Sequence, residues 1–139
     1  MKGILLISHG EMAKGLMHSA SLFFGGEIEQ LDYLCLYEGD SAEEFGEKIK
    51  DKLEKLDTGD GVIVLADLYG GTPCNQAIHS LEDQIDVIAG MNLGILVQLL
   101  SDRLYGTVQT SELIEAGRNS IVDIRDMLKK QNNTGFDEW

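Results

Sequence analysis

Short apolar runs alternate with longer amphipathic segments along the chain. Four runs rich in Ile, Leu and Val have the length and composition of buried strands, and they cover residues 3–8, 31–36, 62–66 and 85–89. Segments with apolar positions at helical spacing follow these runs and cover residues 11–24, 41–56, 73–81 and 92–103. This alternation is typical of βα units and predicts an α/β fold, an open, mostly parallel sheet with helices on both faces.

Capping signals predict where several helices begin. Ser41 followed by Glu44 fits a capping box, in which each side chain satisfies a free amide. Thr72 is predicted to cap a helix that has Pro73 at its first position. Thr110 is predicted to cap a helix over residues 110–117. Beyond it, the apolar residues from Ile121 onward fit either a continued helix or an edge strand.

Composition narrows the class of protein. The chain has 139 residues, of which 43% are hydrophobic, and this suits one domain with a sizeable core. No apolar run approaches the ~20 residues of a membrane span, and the N-terminus lacks a secretory cleavage site, so we expect a cytoplasmic protein. Cys35 and Cys74 have no short spacing, which favours buried thiols over a disulfide or zinc site.

The charge excludes one class of partner. The formal net charge is −13, from 24 acidic and 11 basic side chains. Nucleic-acid binding needs a basic surface for the phosphate backbone, so no nucleic-acid partner is expected. An acidic protein is instead suited to a basic protein partner.

Polar residues stand at the ends of two predicted strands. Ser8, His9 and Gly10 end the first strand, and the run from Asp67 to Pro73 follows the third. Ligands of open α/β sheets bind just past the carboxyl ends of the strands. If the first and third strands are neighbours, both loops therefore border one crevice.

These residue types suit phosphoryl transfer to a histidine. A neutral imidazole has one lone pair free to attack, and a carboxylate on the other ring nitrogen, here Asp67 beside His9, fixes its tautomer. Gly70 and Gly71 let backbone amides approach an oxyanion, and Thr72 adds a hydroxyl at a helix start. We expect a nucleophilic histidine that needs no metal and no cofactor.

Each of these residues also has a simpler interpretation. Asp67 fits an ordinary turn residue, and Gly-Gly-Thr-Pro fits strand-to-helix turn chemistry. His18 and His79 fit solvated positions on helices. No pair of histidines has His-x-x-x-His spacing, so the sequence gives little support for a zinc site.

At these residues the chain resembles a known family, the mannose/fructose/sorbose type of enzyme IIA (EIIA) of the sugar phosphotransferase system (PTS). The likeness covers residues 2–130. The matching stretches are Ile7 to Gly10, Ala13 to Leu16, Ser19-Ala20, Leu65 to Asn75 and Val87 to Asn92. One departure is Cys74, where the family commonly has Phe.

The resemblance implies a function. His9 would be transiently phosphorylated and Asp67 would hydrogen-bond its ring. The phosphoryl group would come from the carrier protein HPr and pass to a histidine of the EIIB component during sugar uptake. The protein would thus be a protein-to-protein phosphotransferase. It would contact membrane permease subunits only indirectly, at the inner face of the membrane.

The resemblance also implies an architecture. The strand order would be 2-1-3-4, followed by a helix over 110–118 and an antiparallel edge strand near 120–125 that is exchanged across a homodimer. Residues 1–130 would form the EIIA domain, and residues 131–139 would be a polar, flexible tail.

Two other functions fit the same residues. One is a regulatory or sensory domain of this fold, in which phosphorylation of His9 reports sugar flux. The other is the phosphotransfer subunit of a dihydroxyacetone kinase system, although Gly-Gly-Thr-Pro is not expected there. The resemblance implies no particular sugar, because a domain that passes phosphate need not touch sugar.

Overall fold

Four parallel strands form a sheet in the order β2-β1-β3-β4 in the computed structural model, which describes residues 1–82 and 84–133. The strands are β1 (Gly3–His9), β2 (Leu31–Leu36), β3 (Val62–Ala66) and β4 (Ile85–Ala89). The helices are α1 (Met12–Phe24), α2 (Ala42–Leu56), α3 (Gly71–Ile78), α4 (Leu93–Tyr105), α5 (Thr110–Asn119) and α6 (Ile124–Asn133). The predicted strand order is confirmed, and it places a topological switch point between β1 and β3.

The register of β1 against β3 brings the two polar strand ends together. Ile4 lies opposite Ile63, and Ile7 lies opposite Ala66. Both strands run in the same direction, so the residues after Ile7 and after Ala66 emerge at the same edge of the sheet. His9 and Asp67 are among those residues.

Helices cover both faces of the sheet and form two core layers. Ile4 and Leu6 of β1 pack with buried side chains of α1, α4 and α5 on one face. Leu5 and Ile7 pack with α2 and α3 on the other face. All four side chains are fully buried. A parallel strand covered on both faces is apolar at every position, which is the pattern that identified β1 in the sequence.

One predicted helix cap is confirmed and two are wrong. The Ser41 hydroxyl accepts the Glu44 N–H at 3.3 Å. The helix predicted from Pro73 begins at Gly71 instead, and its N-cap is Gly70, without a side-chain hydrogen bond. Thr110 likewise lies inside α5, behind Gln109 at the N-cap. At Gly70 and Gly71 the backbone itself makes the turn, since both have positive φ, 85° and 77°.

The C-terminal segment differs from its prediction in this chain. Residues 121–123 have no regular structure, and a helix follows where the edge strand near 120–125 was predicted. Asp123 starts that helix, because its carboxylate accepts the Asp126 N–H at 3.2 Å and its carbonyl accepts the Met127 N–H at 2.9 Å. A strand exchanged with a second copy stays a prediction.

The predicted tail divides between described and undescribed residues. Residues 131–133 belong to α6, and residues 134–139 lie outside the described part of the chain. Within residues 1–82 and 84–133, no helix is both long enough and apolar enough to cross a membrane.

Candidate active site

His9 and Asp67 meet at the carboxyl edge of the sheet. The imidazole Nδ1 lies 2.8 Å from Asp67 Oδ2. The His9 backbone N–H donates to the same oxygen at 2.9 Å, and the Leu68 N–H donates to Oδ1 at 3.0 Å. The Asp67 side chain is only 8% exposed, whereas that of His9 is 46% exposed. The pair thus consists of a shielded carboxylate and an accessible imidazole.

Backbone hydrogen bonds fix where Asp67 stands. Its N–H donates to the Ile7 carbonyl at 3.1 Å and extends the β1–β3 ladder by one residue. The carbonyl of the preceding residue, Ala66, accepts the N–H groups of Gly90 and Met91 at 3.0 and 2.9 Å. The loop that carries Asp67 is therefore tied to β1 on one side and to the end of β4 on the other.

The surroundings of Asp67 favour its ionised form. Burial raises the pKa of this carboxyl group, but hydrogen bonds from the backbone N–H and ring of His9 outweigh it. The pKa of Asp67 consequently lies below its ordinary value. An ionised carboxylate only accepts hydrogen bonds, so Nδ1 carries the ring proton when the imidazole is neutral. The lone pair is then on Nε2.

Gly71 lies against the opposite side of the same ring. A Cβ added at Gly71 would be 2.7 Å from His9 Cε1 and 3.0 Å from Nε2. Only a residue without a side chain permits this approach. The Nε2 atom therefore faces the start of α3, where the first backbone N–H groups of a helix have no partner within the helix. Thr72 is the second residue of this helix, and Gly70 is its N-cap residue.

A tyrosine and a glutamate bridge two loops at the rim of the site. The Tyr37 hydroxyl, just after β2, donates to Glu11 Oε2 at 2.8 Å, and Glu11 is the N-cap of α1. This hydrogen bond, with lesser effects from burial and the Glu11 charge, raises the pKa of Tyr37 to about 12. The pair was not predicted, because nothing in the sequence links residues 26 positions apart.

The sequence model of the family EIIA-man, described as "PTS system fructose IIA component", matches residues 3–117. The chain belongs to this family. The PTS system mannose-specific EIIAB component of Escherichia coli (strain K12) is 37% identical over 102 residues, which make up 72% of this chain and 31% of that protein. The match thus spans less than a third of that relative's length.

Two further relatives match this chain over more of their own length. The PTS system fructose-specific EIIA component of Bacillus subtilis (strain 168) is 33% identical over 105 residues, 74% of this chain and 71% of that one. The crystal structure of the PTS IIA protein associated with the fucose utilization operon of Streptococcus pneumoniae superposes with a TM-score of 0.84. It is 32% identical, and the match covers 91% of this chain and 96% of that one.

The other two histidines of this EIIA domain lie apart from the His9–Asp67 pair. His18 borders a groove of about 670 Å³ between α1 and β2, together with Met17 and Tyr33. His79 borders a different groove of about 370 Å³, together with Lys50 and Glu82. Among the described residues, no group of three or more His, Cys, Asp and Glu side chains is arranged to hold a metal ion.

Proposed function

We propose that this EIIA domain is a phosphoryl carrier whose phosphorylated atom is Nε2 of His9. It would take the phosphoryl group from a phosphohistidine of HPr and pass it to a histidine of EIIB during sugar uptake. The observation that carries the proposal is the pairing of His9 Nδ1 with the shielded Asp67 carboxylate at 2.8 Å. This contact leaves Nε2 as the reactive nitrogen of a half-exposed ring.

The proposed transfer exchanges one nitrogen–phosphorus bond for another. The Nε2 lone pair of His9 attacks phosphorus, and the bond from phosphorus to the donor imidazole breaks. The donor ring keeps the bonding electron pair. Positive charge that develops on the His9 ring is stabilised by the Asp67 carboxylate through Nδ1–H. The second step reverses these roles, with the EIIB histidine as the attacking group.

The start of α3 is suited to the negative charge of the phosphoryl oxygens. Gly71 lies against Nε2 at the start of this helix, and the N-terminal end of a helix favours an anion. The Thr72 hydroxyl is a further donor in the first turn. These groups supply in this proposal the stabilisation that many phosphoryl-transfer enzymes obtain from a metal ion.

The surface around His9 suits docking of another protein. Met12, Leu68 and Tyr69 are exposed by 45%, 50% and 87%, and they flank His9 and Asp67 in sequence. Apolar and aromatic side chains are typical centres of protein interfaces. With a net charge of −13, the protein favours basic partners. We propose a cytoplasmic location, with indirect attachment to the membrane through permease subunits.

Phosphosite mapping tests the proposal. The protein is incubated with radiolabelled phosphoenolpyruvate and the upstream PTS proteins, including HPr. We expect one acid-labile phosphate on His9, and the His18→Ala and His79→Ala proteins should still carry it. EDTA should not change the transfer of phosphate from phospho-HPr to His9. The His9→Ala protein should take up no label. Stable labelling of His9→Ala, or loss of His-to-His transfer on chelation, would contradict the proposal.

A further inference from the structure

Ser8 is a fully buried polar residue directly before His9. Its hydroxyl donates to the Gly10 carbonyl at 2.9 Å. The Ser8 hydroxyl oxygen also accepts the Ala13 N–H at 2.8 Å. Ser8 therefore connects the end of β1 to the first turn of α1, across the turn that contains His9 and Gly10.

The Ser8 hydroxyl replaces an ordinary helix cap. The N-cap residue of α1, Glu11, makes no side-chain capping hydrogen bond. One of the free N–H groups of the first turn, that of Ala13, is satisfied by Ser8 instead. Losing the hydroxyl leaves the buried Ala13 N–H and the part-buried Gly10 carbonyl without their partner, which is costly and favours a shift of the backbone.

Three tethers hold the backbone around the imidazole. The His9 N–H is bound by Asp67, and the Gly10 N–H donates to the Leu36 carbonyl at 2.8 Å. Ser8 supplies the third tether, and it is the one that joins the strand to the helix across the turn. Because Gly10 has a φ of 58°, the turn has a conformation that most residues avoid, and it depends on such restraints.

We infer that Ser8 is a positioning residue for phosphoryl transfer, and this inference rests on the proposed role of His9. Its hydroxyl sets the His9–Gly10 turn and thereby the geometry in which Nδ1 meets Asp67 and Nε2 faces α3. Ser8 is buried, so it does not touch the phosphoryl donor. It acts on the rate of the chemical step and not on docking.

The test compares Ser8→Ala, Ser8→Cys and Ser8→Thr with the wild-type protein. In Ser8→Ala the maximal rate of phosphoryl transfer from phospho-HPr should fall about 10- to 100-fold, as expected for a displaced nucleophile. The HPr concentration at half-maximal rate should stay unchanged. The ¹⁵N NMR signals of the His9 ring should shift or broaden. Ser8→Thr, which keeps the hydroxyl, should restore both the rate and the ring signals.

Ser21→Ala is the matched control, because the Ser21 hydroxyl also bonds a backbone carbonyl, that of His18, at 2.5 Å. It should leave both the rate and the His9 signals unchanged. If Ser8→Ala does not fold, Ser8→Cys decides the test, since a thiol has similar shape but bonds weakly. A folded Ser8→Ala or Ser8→Cys protein with wild-type rate and wild-type His9 signals overturns the inference.

Two outcomes separate this inference from the proposed function. If the wild-type protein takes up no phosphate on His9, the proposed function fails, while the ring signals of the variants still report whether Ser8 positions the imidazole. If the wild type is labelled and Ser8→Ala loses rate only through a raised half-saturating HPr concentration, the carrier function stands and the positioning role is overturned.

Discussion

Asp67 contacts His9 twice through a single oxygen atom. Oδ2 accepts the backbone N–H of His9 at 2.9 Å and lies 2.8 Å from the ring Nδ1. One carboxylate oxygen thus restrains both the main chain that carries the imidazole and the rotation of its ring. Any change at Asp67 acts on the position and on the tautomer of His9 together.

Replacing Asp67 by Asn should separate the charge of this group from its shape. We expect Asp67→Asn to fold and to transfer phosphate about tenfold more slowly or worse, because an amide can present N–H to the ring and favour the wrong tautomer. Rapid-quench measurement of transfer from phospho-HPr gives the rate, and ¹⁵N NMR gives the His9 tautomer.

Asp60→Asn is the matched control for that variant. Asp60 also has a lowered pKa, through its hydrogen bond to the N-terminal amine, but it lies at the opposite end of β3. Its replacement should change neither rate nor tautomer. An Asp67→Asn protein indistinguishable from wild type in both measurements would reduce Asp67 to a turn residue.

Fast phosphoryl transfer should require a glycine at position 71. Gly71→Ala places a methyl group 2.7 Å from His9 Cε1, so the ring must move and the transfer rate should fall at least about tenfold. Gly25→Ala is the control, because Gly25 also has a positive φ, 79°, but an added Cβ has no neighbour within 4 Å. Both substitutions should cost about 1 kcal/mol of stability for the backbone conformation.

NMR measures the displacement of the His9 ring, and urea denaturation measures the loss of stability. Only Gly71→Ala should shift the His9 ring signals, whereas both variants should unfold at lower urea concentration than wild type. Equal transfer rates for Gly71→Ala and Gly25→Ala would show that the close approach of Gly71 to the imidazole does not affect phosphoryl transfer.

Much of the fold was predictable because the two central strands, β1 and β3, are covered on both faces. The uninterrupted apolar runs of β1 and β3 could not be mistaken for loops, and the polar residues after them mark the carboxyl edge of the sheet. His9 and Asp67 follow from this pattern as candidates. Their 2.8 Å contact does not, because it depends on the register of β1 against β3.

The details that sequence reasoning missed involve groups without a local pattern. Ser8 reads as one more residue of a strand, and its capping of α1 appears only when the His9–Gly10 turn is folded. Thr72 and Thr110 looked like helix caps by residue type, yet Gly70 and Gln109 occupy the N-cap positions of α3 and α5. At Asp123 a side-chain cap favoured helix where the family resemblance implied strand.

Low pH should decrease the free energy of unfolding, partly through protonation of Asp67. Its folded-state pKa is depressed below the ordinary value of 3.8, so its ionisation stabilises the fold fully above that value. This contribution is lost as the pH falls through the lower pKa of the folded protein. Urea unfolding of wild type and Asp67→Asn between pH 5 and pH 2 measures it: the stability difference should shrink towards the acid end. A difference that stays constant over that range would contradict the assigned shift.

The C-terminal arm, residues 118–133, should join two copies of the protein. The arm carries four basic and two acidic side chains, whereas residues 1–117 carry seven basic and twenty acidic ones. Ile121, Val122 and Ile124 of the arm are exposed by 76%, 49% and 56%. An arm that is both apolar and basic complements the acidic body of a second copy, and its attraction offsets the repulsion between two strongly negative chains.

Light scattering at micromolar concentration and moderate salt tests the homodimer. We expect about twice the 15.3 kDa of one chain for the full protein and the mass of one chain for a protein ending at Gly117. Ile121→Asp should weaken the dimer without removing the arm, because it places a charge on apolar surface that the dimer would bury. Thr107→Asp, an exposed change outside the arm, is its control for added charge. A full-length mass near 15.3 kDa would refute the dimer and leave the chemistry of His9 unaffected, because His9, Asp67 and Gly71 all belong to one chain.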